Sequence, residues 1–73
     1  MVYRASLNKG DLIKKLYDAG YRKVSDEYIK VNRLSPGLIL PHATIYGDQA
    51  KFNEDICEVY NDGRIIAIVR TVQ

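Results

Sequence analysis

Few side chains in this sequence could do covalent or metal chemistry: one cysteine (Cys57), one histidine (His42), and serines at 6, 25 and 35. Cys57 and His42 would form a nucleophile–base pair only if the fold joined them, because an imidazole activates a thiol by holding its proton. Cys57 lies between Ile56 and Val59 in a stretch that reads as strand. An inert, packed thiol is the expectation there. A single His and a single Cys cannot complete a four-ligand zinc centre. The serines fall near turn signals, with no nucleophile-elbow sequence around them and no glycine-rich phosphate loop anywhere. The adjacent acids Asp26-Glu27 and Glu54-Asp55 fall in expected loops, where solvation accounts for them. The expectation is a chain without catalytic residues, metal or cofactor.

Binding chemistry is better represented. In YRKVSDEYIK, aromatic and basic residues interleave. Nucleic acid is held by cations on phosphates and by rings stacked on bases, and Tyr21, Arg22, Lys23, Tyr28, Lys30 and Arg33 offer both. The competing reading is that such tyrosines pack half-buried on a sheet. Residues 1–33 carry eight basic side chains against four acidic, whereas residues 34–73 carry three against five. That asymmetry suits RNA or an acidic protein partner, and it also suits a solvated helix face. Pro36-Gly37 sits where the basic half meets the apolar half.

A chain of 73 residues allows one domain, 1–73, and leaves little room for an enclosed pocket. A hydrophobic content of 47% is enough for a core. With one cysteine there is no internal disulfide, and the start MVYRASLNKG has no apolar signal region. The runs LIL and IIAIV are far too short to cross a membrane. A cytoplasmic protein without membrane contact is expected.

The elements that must position these residues follow from pattern. SLNKGDLIKKLYDAG predicts a helix: Asn8 caps it, Asp11 supports the cap, and Gly20 stops it. Leu12, Ile13, Leu16 and Tyr17 share its apolar face. Val24 could close a short extended piece, and Tyr28, Ile29 and Val31 suggest a strand, with a second short helix from Ser25 as the alternative. Pro36-Gly37 predicts a turn before the strand Leu38, Ile39, Leu40. Pro41 would then mark an edge or bulge, and strand resumes through His42 to Tyr46. DICEVY and RIIAIVRTV read as a hairpin around Asn61-Asp62-Gly63. The second arm is apolar on both faces, which predicts cover on both. The expected fold is α+β: a small β-barrel or strongly bent sheet of five to six short strands, with one N-terminal helix packed on it.

The pieces LSPGLIL and AKFNEDICEVYNDGRIIAIVRT resemble the PUA domain, the small pseudo-barrel of pseudouridine synthases and archaeosine transglycosylases. Pro36-Gly37-Leu38, Phe52-Asn53-Glu54-Asp55-Ile56, Asp62-Gly63 and Ile66-Ala67-Ile68 match its short signatures over about half the chain. Glu54 and Val69 stand where that family commonly has glycine. The resemblance implies binding of structured RNA by the helix and nearby strands, with the Pro-Gly element close to the RNA. RNA is therefore the first partner expected, through Tyr21, Arg22, Lys23, Tyr28, Lys30, Arg33, Pro36 and Gly37. The alternative is a small inhibitor or adaptor that docks on an acidic protein. A homodimeric accessory subunit is a third reading.

Overall fold

The computed structural model describes residues 2–31 and 37–72. Its one helix and eight strands run in the order β1 (Val2–Arg4), α1 (Lys9–Asp18), β2 (Tyr21–Val24), β3 (Glu27–Lys30), β4 (Leu38–Leu40), β5 (Ala43–Ile45), β6 (Gln49–Asn53), β7 (Ile56–Asn61) and β8 (Arg64–Arg70). Six of the strands form one sheet in the order β1-β8-β7-β6-β3-β2, and β4 and β5 form a separate hairpin. The sheet is mixed: β1 runs parallel to β8, and every other neighbour is antiparallel.

The barrel expectation is corrected here. The sheet ends at β1 on one side and β2 on the other, and no pairing joins them. The strand count exceeds the expected five to six because β1, β6 and the β4–β5 hairpin each form in their own right. The second helix considered at Ser25 is instead a hairpin turn. Pro41-His42 is likewise the turn of the β4–β5 hairpin, since Leu40 pairs directly with Ala43.

Turn chemistry sets the registers. Asn61 pairs with Arg64, so Asp62-Gly63 is a two-residue loop, with φ of 52° and 76°. Positive φ at both positions matches the right-handed twist of the strands. The β2–β3 and β6–β7 hairpins also close on two residues, and each places its first, Ser25 or Glu54, at φ 59°.

The helix forms where its caps predict. The Asn8 side chain accepts from the Asp11 N–H at 2.8 Å, and Gly20 follows the last turn at φ 89°. Its Leu12 and Leu16 are wholly buried against one face of the sheet, in a cluster with Cys57, Val59, Ala67 and Val69. Burial of a leucine stabilises by about 1.5–3 kcal/mol. Leu38, Leu40 and Ile45 bring the small hairpin into the same core. One helix and one hairpin therefore cover the inner face of the sheet. None of the described helices is long and apolar enough to cross a membrane.

Candidate functional site

The β2–β3 hairpin collects Tyr21, Arg22, Lys23, Tyr28 and Lys30, as the sequence suggests, but turns both rings inward. Tyr21 is fully buried, and its hydroxyl donates to the Gly47 carbonyl. Burial pushes that hydroxyl up to about 12, against the lowering effect of the hydrogen bond. Tyr28 is only 6% exposed. It stands edge-on to Tyr17 (6.2 Å between centroids) and to Phe52 (5.8 Å). Neither ring has a face free for a base.

Arg22 is occupied as well. Its Nη1 donates to the Tyr17 carbonyl at 3.1 Å and to the Tyr21 carbonyl at 2.6 Å. The guanidinium also lies 5.4 Å from the Tyr17 ring centroid. It serves the negative end of α1, where a cation is favoured. The Lys30 ammonium lies 5.8 Å from the Tyr21 ring centre. Lys23 is exposed on the edge strand opposite Tyr28. Gly37 is buried, and a Cβ there would meet Thr44 and the Tyr46 ring at 2.9 Å. Arg33 and Pro36 lie outside the described residues.

Three residues that the sequence did not assign to the binding surface complete this flank. Lys9 sits 5.0 Å from the Phe52 centroid. With Tyr17, they extend a row that runs Arg22, Tyr17, Tyr28, Phe52, Lys9 along the seam between α1 and the sheet. The alternation in QAKFN, with Ala50 and Phe52 apolar and their neighbours polar, was the available signal for Phe52.

The structure buries the one thiol of the chain. Cys57 has no exposed surface, and burial, then the charge of Glu58, push its thiol up to about 12. A thiol held that way is a poor nucleophile. Among the described residues, no group of three or more His, Cys, Asp or Glu could hold a metal ion.

The outer face of the sheet is open. The sequence predicts cover on both sides of β8, and this too is corrected: no described element lies over the outer side. Ala67 and Val69 are buried, while Ile65 and Ile66 are 45% and 37% exposed. Val59 pairs with Ala67 and Tyr60 with Ile65, so Ile66 is the extra residue of a bulge. Val2, the neighbour of Ile68 on β1, is 62% exposed. Across the middle, Glu58, Lys51 and Glu27 alternate in charge on adjacent strands, and Tyr60 donates to Glu58 at 3.1 Å. At one corner, Arg4 and Arg70 sit side by side as partners of the parallel pair. No protein-family model, curated protein or solved structure matches this chain.

Proposed function

We propose that this chain is a non-enzymatic binding module that docks on an acidic protein partner through the β1–β8 side of its open sheet face. The observation that carries this reading is the exposed aliphatic surface of Val2, Ile65 and Ile66 along the β1–β8 side, with the neighbouring Arg4 and Arg70 at the far end of β8. Like charges directly opposite one another destabilise a sheet unless an anion compensates them. Exposed aliphatics beside unpartnered sheet area suit burial against another protein. The burial of Tyr21 and Tyr28 weighs against stacking of RNA bases on this hairpin.

The test is an amide-shift titration of the labelled chain, first with a glutamate–tyrosine copolymer and then with a structured RNA hairpin. The copolymer is expected to move Arg4, Ile66, Ile68 and Arg70, and the Arg4→Glu/Arg70→Glu double variant to abolish the effect. Tighter binding of the RNA, with shifts centred on Lys9, Tyr17 and Lys23, would overturn the reading in favour of nucleic acid.

A further inference from the structure

We infer that the free edge of β1 takes an extended acidic segment of a partner protein as an added strand. This rests on the protein-binding reading above and says how the partner is held. The Ala5 N–H donates to the Arg70 carbonyl at 3.0 Å, and Arg4 is the Cα partner of Arg70. In a parallel ladder of that register, residues 3 and 5 face β8. The N–H and C=O groups of Val2 and Arg4 therefore point away from the sheet. β1 is the end strand, so these groups form a template for further pairing.

The space beside that edge is already shaped. Residues 2–5 and the β4–β5 turn, residues 40–43, enclose a groove of about 340 Å³. Leu40 and Ala5 contribute buried apolar surface to it, and the exposed His42 stands on its rim. Among the described residues, no carboxylate lines this groove. Asp55 lines the adjoining depression with Arg4 and Arg70, where its carbonyl accepts from the Thr71 hydroxyl at 2.8 Å.

An added strand alternates its side chains between the two faces. Those on the inner side enter the groove and are apolar. Those on the outer side lie beside Arg4 and are acidic. The occupant is thus a short segment of alternating apolar and acidic residues, held by main-chain hydrogen bonds, with its register set by Arg4.

The experiment is selection of a random octapeptide display library on the full chain, followed by titration with the selected peptides. Enrichment of alternating apolar and acidic residues is expected, with amide shifts at residues 2–5 and 40–43. Arg4→Pro removes the outward N–H and the charge but no bond to β8, and it is expected to weaken binding about tenfold or more. Arg4→Gln is expected to erase the preference for acidic residues. Because Arg4→Pro could also disturb β1, a second arm keeps the wild-type chain and N-methylates alternate peptide residues. Methylation in one phase should abolish binding and in the other leave it intact. Selection that yields no enrichment, or peptides indifferent to Arg4→Pro and to N-methylation, would overturn the inference. Peptides indifferent to both but lost with Ile68→Asp would overturn strand addition and leave the sheet-face reading standing.

Discussion

The Tyr21 hydroxyl donates to the carbonyl of Gly47, a buried hydrogen bond across 26 residues that ties the β2 edge to the segment before β6. The geometry leaves little room at its far end: a Cβ on Gly47 would overlap a Val59 methyl and come within 2.8 Å of the Tyr60 carbonyl. Tyr21→Phe keeps the ring and strands the carbonyl. A loss of about 1–3 kcal/mol is expected in urea unfolding, since an unpaired buried acceptor keeps its full desolvation cost. Stability within a few tenths of wild type would show that water replaces the hydroxyl.

Gly47 and Gly63 separate two reasons for glycine. At Gly47 the obstacle is space, and one of the opposing atoms is backbone, which cannot swing aside. At Gly63 a Cβ would meet nothing within 4 Å, but φ is 76°. Gly63→Ala should cost about 1–2 kcal/mol, the usual left-handed penalty. Gly47→Ala should cost more, about 3 kcal/mol, because the β5–β6 segment must move away from β7. A reversed order in chemical denaturation would contradict the close approach at Gly47.

Two loops carry the opposite opportunity. Ser25 and Glu54 both sit at φ 59° in two-residue hairpin loops. Ser25→Gly and Glu54→Gly should each stabilise by about 0.5–1 kcal/mol in thermal or urea melts, by removing Cβ strain in excess of the added chain entropy. The effects should add, because the loops belong to different hairpins.

Alkaline stability follows from two buried acids. Tyr21 rises from 10.0 to about 12 and Cys57 from 9.0 to about 12, burial being the first cause in each. In both, the unfolded chain releases its proton more readily than the native one. The stabilisation is therefore complete below about pH 9 and is lost as pH climbs toward 12. Tm should be flat up to pH 9 and fall steadily above it, and Cys57→Ala should delay the onset of the fall. Native Cys57 should also resist Ellman's reagent at pH 8, reacting only at the rate of opening. Fast labelling would contradict its burial.

How much of this was legible depended on whether the signal was local. Asn8, Gly20 and Asp62-Gly63 act within a few residues of themselves, so the helix and the last hairpin could be read directly. β1 could not: three residues whose partner is β8, at the other end of the chain, leave no periodicity to detect. His42 and Pro41 sit in a tight turn because Leu40 finds Ala43, a pairing that the prolines alone did not specify. Tyr21 and Tyr28 looked like a stacking surface because lysine and arginine surround them in sequence. Their burial comes from α1, β6 and the distant carbonyl of Gly47. The apolar run of β8 suggested two covered faces, yet the one helix and one small hairpin among the described residues are enough to cover only one.

That imbalance yields a direct test of the open face. Along β8, Ala67 and Val69 point into the core, while Ile66 is an exposed bulge residue. In a strand covered on both sides, polar substitution at either kind of position would be destabilising. With one face open, Ile66→Thr should change stability by no more than about 0.5 kcal/mol, as surface substitutions do. Leu12→Ala, which empties buried space on the inner side, should cost about 2–5 kcal/mol. Comparable losses for the two variants would mean that something covers the outer face of the free chain, such as a second copy. Sedimentation would then report the doubled mass of a dimer. A monomer tolerant of Ile66→Thr leaves that face available for the docking proposed above.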